Sequence, residues 1–294
     1  MSPPLRLRAH SIGDRGTAKK LVTHRFHGVT HVLHYFHNDT MEKRMKLFFA
    51  CTLLATAAAH AGAARPLEAE LARMAGARVA GGVVPGLVIG TIIGKERRVS
   101  AFGVVSRVAP RAPDADTVYE IGSVSKTFTA LLLADAVARG EVKLDDPVGA
   151  LLPGYAIPRH QGRAISLLDL ATQTSALPRL PLNLMPKRAD NPYADYAEAD
   201  LKTFLAGYAL PRAPGARYEY SNLGYGLLGQ ALAAQAGKPY AELVRQRIGA
   251  PLGMHSTGVA LTPAMRAQLA PGHGARGQQV SNWDFPAPAR CART

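Results

Sequence analysis

The chain has 294 residues, 47% of them hydrophobic and 19% charged, a globular composition with room for one large domain or two small ones. Its formal net charge of +14 raises the question of a nucleic-acid partner. The basic residues after position 64 are mostly isolated arginines such as Arg111, Arg163, Arg179 and Arg212. They form no basic helix face and carry no interleaved aromatics, which argues against nucleic acid.

Residues 1–40 hold six of the ten histidines, among them His24, His27, His31, His34 and His37. Spacings of three or four could set imidazoles on one helix face, but no carboxylate or cysteine cluster joins them. No metal site is therefore assigned. The segment has little hydrophobic periodicity and is read as an upstream extension, not native structure, with Met41 or Met45 as the true initiator. Residues 41–64 follow the order of a secretory signal: a positive start (Glu42 to Lys46), an apolar run (Leu47 to Ala59), then the A-x-A site Ala59-His60-Ala61. The apolar run is too short to cross a bilayer, so no stable membrane span is expected. A mature chain beginning near Gly62 in the periplasm is expected instead. Of the two cysteines, Cys51 lies in this signal and Cys291 near the end, which leaves no internal disulfide.

The domain is assigned to residues 65–294. Leu67 to Ala77 have helical spacing. Leu87 to Ile93 read as a buried strand, Gly94 to Arg97 as a turn, and Val99 to Val105 as the returning strand. Val118 to Ile121 read as strand-like, and Ser123 to Arg139 as a helix stopped by Gly140. Ser166 is placed to cap the following helix with Asp169 at its third position. Further helices are expected over Glu198 to Tyr208, over Leu223 to Ala236 ended by Gly237, and from Pro239 to Ile248. Regular signals fade from Pro263 onward. Strands first and helices afterwards give an α+β class, an antiparallel sheet with a mostly helical subdomain.

The stretch YEIGSVSKTF, Tyr119 to Phe128, carries chemistry. A serine hydroxyl needs a base within hydrogen-bond reach to act as a nucleophile. In the first turn of a helix, Ser123 and Lys126 at i and i+3 share a face. Lysine can be that base where burial or nearby positive charge lowers its pKa. The backbone N–H of Ser123, at the helix start, can point at a developing oxyanion, and Gly122 permits a close backbone approach. Ser123 is expected to be both nucleophile and helix cap.

The eight residues Tyr119-Glu120-Ile121-Gly122-Ser123-Val124-Ser125-Lys126 resemble the active-site signature of class C β-lactamases, a family that also contains penicillin-binding DD-peptidases and related esterases. Tyr220-Ser221-Asn222 resembles its second motif, Tyr-x-Asn. Leu144 to Pro147, Leu168 to Thr172, Pro214-Gly215 and Pro251 to Met254 resemble its flanks, so that the likeness runs from about residue 66 to 286. The resemblance implies a β-lactamase/transpeptidase-like fold and acylation of Ser123, with Lys126 and Tyr220 sharing protons. It also implies that Asn222 bonds the substrate amide and helps fix Lys126. The implied substrate is a small β-lactam or a D-Ala-D-Ala-type peptide, with no cofactor.

The family's third motif, Lys-Thr-Gly or His-x-Gly on a core strand, is not found. Lys126-Thr127-Phe128 and Lys202-Thr203-Phe204 lack the glycine, and His273-Gly274 is read as part of a Gly-rich turn. The fold is therefore expected to be incomplete at the C-terminus, and the literal chain to be a poor enzyme or unstable. Thr174 to Pro178 resemble peptidase and esterase members as much as resistance enzymes. Arg179 and Leu180 follow where a β-lactamase often carries glutamine. A β-lactamase is the first reading. A DD-carboxypeptidase/endopeptidase or esterase of the same fold, or a non-catalytic fragment, are the alternatives.

Overall fold

The computed structural model describes residues 22–26, 29–33 and 67–283. The expected signal segment, both cysteines and residues 284–294 lie outside the described residues. Two compact units divide the chain at Leu71 and Ala72. The first contains an antiparallel hairpin of β1 (Val22–Phe26) and β2 (Val29–Leu33), with Val22 opposite Leu33 and Phe26 opposite Val29. The sequence reading assigns no element there.

The second unit carries the site. Helix α1 covers residues 67–80, and β3 (Gly86–Ile93) and β4 (Glu96–Gly103) follow as a long antiparallel hairpin. Ile93 and Glu96 close it around a two-residue turn, at whose first position Gly94 takes φ +62°, as a primed hairpin turn demands. The buried-strand expectation does not hold at the far end of β3, where Ile92 is 73% exposed. Among the described residues the hairpin is a two-stranded ladder with no further strand paired beside it.

The helical part is built around α6 (Asn222–Ala236). Leu223 to Gly229, Ala231 and Leu232 are all buried, so this helix is apolar on nearly every side and its neighbours enclose it. Those neighbours are α2 (Lys126–Ala138), α3 (Val148–Leu151), α4 (Leu167–Ala171) and α7 (Tyr240–Val244), and α5 (Glu198–Gly207) adds Leu201, Phe204 and Leu205 to the same core. Leu132, Leu170, Leu205, Leu227, Leu228 and Leu243 form its fully buried centre. The expected capping box is present. Ser166 Oγ accepts from Asp169 N–H at 3.1 Å, and Asp169 Oδ2 accepts from Ser166 N–H at 3.0 Å. Gly140 and Gly237 end α2 and α6 in the left-handed conformation.

Two expectations are corrected here. Val118 makes one parallel bridge with Leu269, but Tyr119 to Ile121 form no strand. Regular elements continue after Pro263 as far as Val280. Helix α8 (Pro263–Gln268) starts with Pro263 in its first turn and Thr262 Oγ1 accepting from Met265 N–H at 3.2 Å. After the short pair β5 (Arg159–His160) and β6 (Arg163–Ala164) earlier in the chain, β7 (Gly272–His273) pairs with β8 (Gln279–Val280). A cap-and-proline signal was available for α8. The two-residue strands carry no periodicity to read.

Candidate active site

Residues Gly122–Ser125 form one 3-10 turn that runs directly into α2. Gly122 sits at φ +54°, in the left-handed region, and an added Cβ would meet nothing within 4 Å. The positive φ is what calls for glycine here, since no protein atom crowds the position. The buried Ser125 hydroxyl donates back to the Gly122 carbonyl and ties the turn. The turn leaves Ser123 exposed while Lys126, three residues on, is only 9% exposed.

The Ser123 hydroxyl caps nothing. The residue before the turn has no side-chain cap, and neither has α2. Instead Ser123 Oγ lies 2.6 Å from Tyr220 Oη and accepts from Lys126 Nζ at 3.3 Å. The expected dual role is thus corrected: the side chain is given wholly to the site. Lys126 Nζ also lies 5.0 Å from the centre of the Tyr220 ring and 5.8 Å from that of Tyr225.

Tyr220 reaches Ser123 across 97 residues of sequence because Ser221 between the two motif residues is an N-cap. Ser221 Oγ accepts from Gly224 N–H at 2.8 Å and donates to the Pro178 carbonyl at 2.7 Å. The chain therefore enters α6 in a fixed direction, with Tyr220 just outside the helix and Asn222 at its first position. Asn222 lines the cleft beside Ser123. Its Oδ1 is buried and accepts no hydrogen bond among the described residues. The expected bond from Lys126 is not formed, because the ammonium is turned to Ser123 and the two phenol rings. An acceptor left unpaired in this position suits an incoming amide N–H.

The electrostatics of Tyr220 are set by opposing influences. Partial burial is the largest and pushes its pKa up. Hydrogen bonding with Lys126 and Ser123, together with the charges of Lys126 and Arg179, outweighs it, and the phenol is held below its ordinary value of 10.0. Tyr225, on the next turn of α6, is pushed the other way by burial and by its phenol neighbours.

The cleft over Ser123 has a volume of about 360 Å³. Leu180, Leu184, Tyr193, Tyr196 and Leu227 give it an apolar wall. Trp283 closes one side, edge-on to Tyr193 with ring centres 5.4 Å apart. His273 also lines it, on β7, which corrects its reading as part of a turn. Neither His273 nor the aromatic wall was singled out as site residues. Only the tertiary fold brings residues 180–201 and 272–283 to Ser123, and no local spacing signals it.

A serine hydroxyl bonded to a phenol of lowered pKa, with a buried ammonium on the same oxygen, is equipped for nucleophilic attack and proton transfer. The family model described as Beta-lactamase matches residues 71–292. The chain belongs to the beta-lactamase family. It is 33% identical over 229 residues to the D-alanyl-D-alanine-carboxypeptidase/endopeptidase AmpH of Escherichia coli (strain K12), covering 73% of this chain and 57% of that protein. A beta-lactamase of Pseudomonas fluorescens is 32% identical over 197 residues, covering 67% and 52%. Among solved structures, the beta-lactamase/D-alanine carboxypeptidase of Yersinia pestis superposes with a TM-score of 0.64 at 27% identity, over 76% of this chain and 62% of that one. The class C beta-lactamase of Rhodobacter sphaeroides gives 0.61 at 27%, over 73% and 57%. The α+β, β-lactamase/transpeptidase-like fold follows from these likenesses, and so does membership of a family of serine hydrolases. The chain spans little more than half the length of the relatives it matches.

Proposed function

We propose that the chain carries the acylating half of a β-lactam-hydrolysing site, with Ser123 as nucleophile. The observation that carries this reading is the convergence on one oxygen: Ser123 Oγ lies 2.6 Å from Tyr220 Oη and 3.3 Å from Lys126 Nζ. Tyr220, as phenolate beside the Lys126 ammonium, takes the hydroxyl proton while Oγ bonds to the β-lactam carbonyl carbon. The carbonyl oxygen becomes an oxyanion facing the backbone N–H of Ser123. The ring C–N bond then breaks, and the proton passes from Tyr220 to the departing nitrogen. Water attacks the ester carbonyl, yields its proton to the same phenolate, and Ser123 leaves protonated. Asn222 Oδ1 accepts from the substrate amide and orients it. The charge, apolar and small-residue order of residues 42–61 supports placing this chemistry in the periplasm.

A second reading rests on the 33% identity to the carboxypeptidase/endopeptidase over 73% of this chain. The same steps on a D-Ala-D-Ala peptide would release D-alanine and leave Ser123 acylated by the peptide. Intact mass after exposure to benzylpenicillin tests the shared step: one penicillin added to the wild type and none to Ser123→Ala. Absence of the adduct, together with no hydrolysis of a chromogenic cephalosporin, overturns both readings. Turnover of the cephalosporin supports the first reading. A lasting penicillin adduct with D-alanine release from a peptide supports the second.

A further inference from the structure

Tyr220 is met by two cations, and the proton transfers above use only one of them. The guanidinium carbon of Arg179 lies 5.0 Å from the centre of the Tyr220 ring, the same distance as Lys126 Nζ. A cation within about 6 Å of a ring centre is attracted to the aromatic face. Arg179 is exposed, and among the described residues no carboxylate lies within ion-pair distance of it.

The loop that carries Arg179 also grips the backbone on both sides of Tyr220. The Gln173 carbonyl accepts from Glu219 N–H at 2.7 Å, and Gln173 Oε1 accepts from Ser221 N–H at 2.7 Å. The Arg179 carbonyl accepts from the N–H groups of Asn222 and Leu223 at 3.0 and 3.3 Å. Gln173 and Ala176 hold φ of +62° and +63° within this loop, a conformation that L-residues rarely adopt. Arg179 and Tyr220 are therefore parts of one clamped assembly, not two surface residues that happen to meet.

We propose that Arg179 is a positioning residue for Tyr220: its guanidinium, laid against the phenol ring, keeps the phenol oxygen on Ser123, where as phenolate it accepts the Ser123 proton. The inference rests on the role proposed for Tyr220. The charged and titratable groups around that phenol are Lys126 from the turn and α2, Arg179 from the loop, and Tyr225 from α6. Glu219, the preceding residue, is paired with Arg212 and lies 3.9 Å from Arg217, so its charge is balanced by two arginines. Glu120 and His273 line the cleft on the Ser123 side. Against the burial of the ring stand the hydrogen bonds with Lys126 and Ser123 and the charge of Lys126, and Arg179 adds a second, smaller positive charge that favours the phenolate.

The test is a direct titration, which needs no turnover. Protein labelled with 13C at tyrosine Cζ is titrated by NMR, and the Tyr220 signal is identified by its loss in Tyr220→Phe. In Arg179→Met the Tyr220 midpoint is expected to move to higher pH, and in Arg179→Lys to return towards the wild type. Where β-lactam acylation is measurable, its rate below that midpoint falls about three- to tenfold in Arg179→Met. An unmoved midpoint in folded Arg179→Met overturns the proposal, as does a rise in KM alone, which would make Arg179 a substrate contact. Should Arg179→Met not fold, Arg179→Gln is read by the same signal. Loss of β-lactam reactivity with the midpoint shift intact would count against the proposed reaction and leave Arg179's role standing.

Discussion

At the scale of single residues, the site turns on the protonation state of Tyr220. Its pKa is lowered, so at any pH below its midpoint more phenolate is present than in a free tyrosine. With the phenolate as the proposed proton acceptor, acylation by benzylpenicillin is expected to rise with pH, level off above the depressed midpoint, and fall as acid protonates the phenol. Tyr220→Phe removes the 2.6 Å partner of Ser123 without altering the ring. Stopped-quench mass measurements should show acylation about 10²- to 10⁴-fold slower, with that pH limb gone. A limb that survives Tyr220→Phe would assign the titration to another group. The neighbourhood of Ser123 and Lys126 was legible because i and i+3 at a helix start are local geometry. In the sequence Arg179 is one isolated arginine among several, placed where a β-lactamase often carries glutamine. Its contact with Tyr220 could not be read, since it depends on a loop that doubles back over 40 residues.

At the scale of elements, the two turns that aim the site are held by different physics. Gly122 relies on backbone freedom alone: its φ is +54° and the space around it is open. Gly122→Ala therefore introduces no clash but forces an L-residue into the left-handed region, a destabilisation of about 1–2 kcal/mol. It should appear as a lower urea midpoint with an unchanged slope. The start of α4 relies on a carboxylate. Asp169 is buried and accepts from Ser166 N–H and Oγ and from Arg163. Asp169→Ala leaves those donors unmatched, and about 2–4 kcal/mol should be lost in the same measurement. This capping box and the long helices were readable, because caps and 3.6-residue periodicity are written in consecutive residues. Tyr119 to Ile121 misled for the opposite reason. Alternating β-formers look like a strand, and whether they pair is decided by partners far away in sequence.

At the scale of the whole molecule, the site is an assembly on one helical core. Ser123 and Lys126 come from the entrance of α2, Tyr220 and Asn222 from the entrance of α6, and the cleft wall from residues 180–201 and 272–283. Helices α2 and α6 share the buried centre, to which Leu228 contributes a fully enclosed side chain near the middle of α6. Leu228 is not among the residues that line the cleft, so stability and chemistry can be separated there. Leu228→Ala removes buried methyl groups from a close-packed interior and should destabilise the fold by about 2–5 kcal/mol. For a unit of this size that corresponds to a melting point lower by roughly 5–15 °C. The entrance of α6 is fixed independently by the Ser221 cap and the bonds from Gln173, Pro178 and Arg179. Well below the melting point, the acylation rate per folded molecule should therefore stay within about twofold of the wild type. A rate that fell in step with stability would mean that the position of Tyr220 is set by the packing of the whole helix and not by the loop that clamps its first turn.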